Sequence, residues 1–144
     1  MSQKWNQVEP ERLFDRATIN IRDLRLRTFI GFNAEERTKK QDVVLNLEIS
    51  YLTNPAVFND EVEDALNYKT ITKAVIRQVE EGRFLLLEKL VADVLATCSS
   101  HPEVTHARVT IDKPHALRFA ESVSLTLEYK TKTDKYINLL EKAS

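Results

Sequence analysis

The sequence predicts an α+β fold of order β-β-α-α-β-β, a four-stranded antiparallel sheet with two helices on one face. Three observations lead there. Val43, Leu45, Leu47, Ile49 and Tyr51 alternate with Val44, Asn46, Glu48 and Ser50, the pattern of a strand covered on one side only. Two segments of helical period follow it. Two more alternating runs, ending near Asp112 and Tyr129, complete the sheet after the helices. One domain over residues 17–130 accounts for all of this, with a flexible arm at 1–16 and a tail at 131–144.

The elements follow in order. In the first strand Ala17, Ile19 and Ile21 share a face, but Leu24 and Leu26 fall on the opposite parity. Strand side chains alternate strictly, so the phase change predicts a bulge near Arg22-Asp23. Phe29-Ile30-Gly31 ends the strand, and 33–40 is a charged connection. After the second strand comes a break at Asn54-Pro55 and an acidic loop through Asp64. Thr70 or a near neighbour caps the first helix, which carries a stripe of Ile71, Ala74, Val75 and Val79 and ends at Gly82. The second helix bears Leu87, Leu90, Val91, Val94, Leu95 and Cys98 on one stripe, which makes Cys98 a buried structural thiol. Thr105, Ala107, Val109 and Ile111 form the third strand's apolar face, and Val123, Leu125, Leu127 and Tyr129 the fourth's. In the tail, Tyr136, Ile137, Leu139 and Leu140 have helical spacing and make either a short docking helix or a frayed end.

Composition narrows the function. Net charge is −1, with 21 basic and 22 acidic residues, so no global field draws the chain to nucleic acid or an anionic membrane. A single cysteine excludes an intrachain disulfide and multi-cysteine zinc sites and fits a reducing cytoplasmic setting. The polar N-terminal residues read as neither a secretory signal nor a membrane span. Two glycines are too few for a glycine-rich phosphate cradle. His101, His106 and His115 lack metal-ligand spacing, so no metal site is expected.

Chemistry concentrates at Ile111-Asp112-Lys113-Pro114-His115-Ala116-Leu117-Arg118. Pro114 stops the strand and favours extended geometry before it, so Lys113 projects from the strand end. That corner is either a solvated loop or a place for acid–base work or anion binding. Glu35, Glu36 and Glu88 are the carboxylates beside elements. Glu88 either complements the helix N-terminus or, if buried, grips the paired N–H groups of a flat heterocycle. Tyr68 is a packing residue or a ligand contact. The other sheet face is polar: Asn20, Asn46, Glu48, His106, Arg108, Ser124, Thr126 and Glu128. It faces solvent, or it lines a space enclosed by several copies.

Four segments in order, Thr28-Phe29-Ile30-Gly31 leading to Glu36, Asp64 to Tyr68, Glu80 to Leu90 and Ile111 to Val123, resemble the dihydroneopterin aldolase family. Leu24 to Gly31 and His115-Ala116-Leu117-Arg118 look closer to its branch of dihydroneopterin triphosphate 2′-epimerases. The resemblance implies the tunnelling fold, in which four chains close a β-barrel and two rings stack into an octamer, with active sites between chains. It implies a small pterin substrate and no cofactor, metal or Schiff base. Lys113, Tyr68 and Glu36 match the catalytic positions, Tyr68 being contributed across the interface. Glu88 and the Leu87 backbone match the pterin anchor. For the triphosphate, the cations in the matching segments are His115, Arg118, Arg25 and Arg27. The implied reaction is epimerisation at the 2′ carbon of 7,8-dihydroneopterin triphosphate to the dihydromonapterin form. Two alternatives stand beside it: an aldolase giving 6-hydroxymethyl-7,8-dihydropterin and glycolaldehyde, and a ring protein that binds pterin without turnover.

Overall fold

The computed structural model describes residues 16–52 and 60–132; the arm, the Asn54-Pro55 break and the tail helix lie outside them. Strands β1 (Ala17–Ile30) and β2 (Gln41–Tyr51) come first, then helix α1 (Tyr68–Glu80), β3 (Arg83–Phe84), helix α2 (Leu87–Cys98), β4 (Val104–Pro114) and β5 (Ser122–Lys130). The sheet order is β3-β1-β2-β4-β5. Four strands pair antiparallel as their alternation predicts, and a fifth, β3, corrects the expected number. It has two residues and pairs parallel to the end of β1, through Phe29–Arg83 and Ile30–Phe84. A strand of two residues has no readable period. Side-chain contacts hold it: Phe84 is buried, and the Arg83 guanidinium stacks 3.8 Å from the Phe29 ring centroid.

The bulge falls where the parity change places it. The β1–β2 register shifts between Ile21 and Leu24, Asp23 takes a φ of 54°, and its N–H donates to Asn46 Oδ1 at 3.1 Å. The extra residue returns Leu24 and Leu26 to the core face. Both helices cover that face, and Val43, Leu45, Ile49, Val75, Val79, Leu90, Val94, Val109 and Ile111 meet there in one cluster.

The cap of α1 is Asn67, whose side chain accepts from the Thr70 N–H at 3.1 Å. The buried stripe is Ile71, Val75 and Val79; Ala74 is exposed, because the spacing of four already spans the contact with the sheet. Gly82 follows the helix without the left-handed φ expected of a glycine terminator, since Gly31 is the described glycine with a positive φ. Its missing side chain is needed for another reason: a Cβ there would overlap the Phe84 ring and lie 2.8 Å from the Gln78 carbonyl oxygen. Cys98 is fully buried, and desolvation pushes its thiol up to about 12, so it stays protonated and inert.

Candidate active site

Lys113 is the penultimate residue of β4 and shares the parity of Val109 and Ile111, so it rises on the helix side of the sheet. Pro114 ends the strand, and His115 turns the chain with a φ of 62°. The Lys113 Nζ donates to Glu36 Oε2 at 2.7 Å, across 77 residues of sequence. Both side chains are mostly covered, at 15% and 23% exposure, so the pair is far less screened than a surface ion pair.

Three features hold Glu36 in place. Its own N–H donates to Asn33 Oδ1 at 2.8 Å. Gln41 Nε2 donates both to the Ile30 carbonyl and, at 3.3 Å, to Glu36 Oε2. Gly31, with φ 125°, leaves room that a Cβ would take from the carboxylate. The Lys113 hydrogen bond holds the Glu36 carboxyl below the usual carboxylate range; burial opposes this, and Gln41 adds to it. Glu36 is therefore held as an anion, with Lys113 Nζ as its donor.

This pair opens into a cleft of about 300 Å³ whose lining includes Gly31, Phe32, Leu86, Leu87, Glu88 and Val123. The N-terminus of α2 faces it. Leu86 occupies the cap position and supplies no side-chain acceptor, so backbone donors there remain open to a ligand. Glu88 stands in that first turn and is exposed in the single chain. Phe32, Leu85 and Leu86 are also exposed, giving an apolar rim beside a carboxylate, a lysine and open N–H groups.

The structure thus joins Glu36, Leu87, Glu88 and Lys113, and separates the other predicted residues from them. Tyr68 starts α1 and lines a different cleft, of about 580 Å³, with Ile19, Asn20, Ile21, Lys69, Thr72 and Lys73. His115 and Arg118 stand in the exposed β4–β5 loop next to Ala116, a cleft residue, and the Arg118 guanidinium lies 5.3 Å from the Phe119 ring centroid. Arg25 and Arg27 are not brought to the lysine cleft. They pair with Val44 and Asp42 on the polar sheet face, and Arg27 Nε is 3.3 Å from Asp42 Oδ1. The bulge sets this: having put Leu24 and Leu26 toward the helices, it turns 25 and 27 away.

Gln41 is a further residue of the site, beyond those the sequence singles out. It did carry a signal, as a polar side chain on the same parity as Val43, Leu45 and Leu47, where β2 is otherwise apolar. Among the described residues no three His, Cys, Asp or Glu side chains group as a metal site, and no helix is long and apolar enough to cross a membrane.

Fold and cleft define a class: a sheet-and-helix protein with an acid–base pair beside an apolar slot. The comparisons specify it. The pattern of the dihydroneopterin aldolase family (FolB) matches residues 19–128, and the chain belongs to that family. It is 57% identical over 111 residues to the dihydroneopterin triphosphate 2′-epimerase of Pseudomonas aeruginosa, covering 77% of this chain and 90% of that protein. To the protein of the same name in Escherichia coli K12 it is 52% identical over 114 residues, covering 79% and 95%. Its fold resembles E. coli dihydroneopterin aldolase solved in complex with neopterin, with a TM-score of 0.73 and 28% identity over 78% of this chain and 98% of that one.

Proposed function

We propose that the chain epimerises the 2′ carbon of 7,8-dihydroneopterin triphosphate through a retro-aldol cleavage and re-addition. The observation that carries this reading is the 2.7 Å Lys113–Glu36 pair set in a slot that also presents Glu88 and the uncapped start of α2. A pterin ring in that slot would place its amidine N–H groups on Glu88, which suits a bidentate carboxylate grip, and its edge on the Leu87 backbone.

The dihydropterin ring carries its own electron sink. When the 2′ hydroxyl loses its proton, the C1′–C2′ bond breaks and its electron pair moves into the adjoining C6=N5 imine. N5 takes a proton, leaving an enamine and an aldehyde. Lys113, with Tyr68 and water, moves these protons, and Glu36 orients Lys113 beside the side chain. Rotation of the retained aldehyde and attack on its other face restores the bond with the 2′ centre inverted, so atoms and electrons balance without a co-reactant. His115 and Arg118, at the rim, hold the phosphorylated fragment; Arg25 and Arg27, on the polar sheet face, are turned away from it.

Tyr68 joins the site from a neighbouring chain. Two edges support this. Among the described residues, β5 and most of β1 lack an outer strand partner, and they run antiparallel through the intervening strands. The lysine cleft reaches the β5 edge through Val123, Ser124 and Leu125, and the Tyr68 cleft lies along β1 at Ile19, Asn20 and Ile21. Pairing β5 of one copy with β1 of the next sets the two clefts side by side and closes a ring, with the polar sheet face inside. We place the enzyme in the cytoplasm as such rings, tetrameric or stacked as octamers.

Incubating the protein with dihydroneopterin triphosphate and resolving the erythro and threo products tests the reaction. Accumulation of the threo triphosphate is expected. Release of 6-hydroxymethyl-dihydropterin as the main product would make it an aldolase, and binding without turnover would make it a pterin-binding ring protein.

A further inference from the structure

The Tyr68 cleft has a charge pattern that the reaction above leaves unused. Lys69 and Lys73 both line it. They stand one helical turn apart on α1, a spacing that puts their Cβ atoms about 6 Å from each other. Neither makes an ion pair or hydrogen bond among the described residues, unlike Arg27, Arg77, Lys89, Arg108 and Lys113. No carboxylate lines the cleft; its other walls are Ile19, Asn20, Ile21, Tyr68 and Thr72. Thr72 Oγ1 donates to the Tyr68 carbonyl at 2.7 Å, which holds that turn in place and leaves the two ammonium groups as the cations of the cleft. Two unpaired cations on an apolar-floored cleft with no competing anion form an electropositive pocket that a polyanion can neutralise.

We infer that Lys69 and Lys73 bind the triphosphate of a substrate whose pterin ring sits in the lysine cleft of the adjacent copy. This deepens the proposed function and rests on it. Tyr68 reaches the reacting side chain from its own cleft, so the far end of that side chain, where the phosphates are, enters the same cleft. The two lysines then hold the phosphorylated aldehyde, together with His115 and Arg118 of the adjacent copy, after the C1′–C2′ bond breaks. Retention of that fragment separates inversion from loss, so the lysines act on specificity and on the partition between epimerisation and cleavage.

The test uses the assembled protein and two readouts. Calorimetry with inorganic tripolyphosphate probes the site without any reaction: Lys69→Ala/Lys73→Ala binds it at least about tenfold more weakly than the unsubstituted protein, and Lys69→Arg/Lys73→Arg stays within about threefold of it. In kinetics, the ratio of kcat/KM for the triphosphate to that for dihydroneopterin falls at least about tenfold in the alanine pair. The released fraction of cleaved pterin rises with it. Equal tripolyphosphate affinity in the alanine pair, or an unchanged ratio, overturns the assignment. Failure of the underlying reaction reads differently: the unsubstituted protein would then epimerise neither substrate, while the calorimetric contrast between the lysine variants still reports the anion site.

Discussion

At the scale of single residues the site depends on a pairing between a strand end and a loop. Lys113 is placed by the strand that Pro114 terminates; Glu36 is placed by Asn33, Gln41 and the space at Gly31. Lys113→Ala removes the group proposed to move protons, and kcat is expected to fall by about two to four orders of magnitude with the protein still folded. Steady-state turnover together with circular dichroism checks this; wild-type kcat in the variant would remove Lys113 from the chemistry. A second prediction concerns acid. The Glu36 carboxyl titrates lower when folded than when unfolded, so the unfolded chain binds more protons in the interval between. The stabilisation is complete above the ordinary carboxylate value of about 4.3 and is lost as pH falls through the depressed folded value. Glu36→Gln should therefore flatten the acid limb of stability against pH. Urea midpoints at fixed protein concentration across that range would show it, and parallel curves for the two proteins would contradict it.

At the scale of elements, small devices place these residues. The β1 bulge decides that Leu24 and Leu26 pack under the helices while Arg25 and Arg27 face the other way. The β3 turn joins α1 to α2 and sets the α2 N-terminus over the cleft; the Phe84 carbonyl accepts from the Gly31 N–H at 2.9 Å, tying that turn to the loop that carries Glu36. The Asn67 cap fixes where α1 begins, and hence where Tyr68, Lys69 and Lys73 stand. Asn67→Ala is expected to cost about 1 kcal/mol by loss of one cap hydrogen bond. Chemical denaturation measures it. A variant as stable as the parent would show that the helix start is held by packing instead.

At the scale of the whole molecule, one chain holds two separate clefts, one reaching β5 through Val123, Ser124 and Leu125 and one along β1 at Ile19, Asn20 and Ile21. If the site is shared between copies, two defective chains can repair each other. Lys113→Ala and Tyr68→Phe are each expected to be impaired alone. Unfolded together and reassembled in equal amounts, about a quarter of the sites would combine an intact lysine cleft with an intact tyrosine. Activity above the sum of the two separate preparations is expected, and strict additivity would place the whole site within one chain.

What the sequence determined by itself was the local geometry. Strand and helix periods, the parity change in β1, the burial of Cys98 and the Pro114 stop all follow from interactions within a few residues, and each is present in the fold. The segments that resemble the dihydroneopterin aldolase family are local in the same sense. Tertiary structure decided what local pattern cannot reach. The two-residue strand β3 exists through Phe84 burial and the Arg83–Phe29 stack. Gly82 is required by the Phe84 ring rather than by its own φ. Above all, Glu36 and Lys113 meet because the β1–β2–β4 register and the room at Gly31 bring together groups 77 residues apart. Lys69 and Lys73, ordinary surface charges in the sequence, share a cleft with Tyr68 because α1 packs beside the open edge of β1.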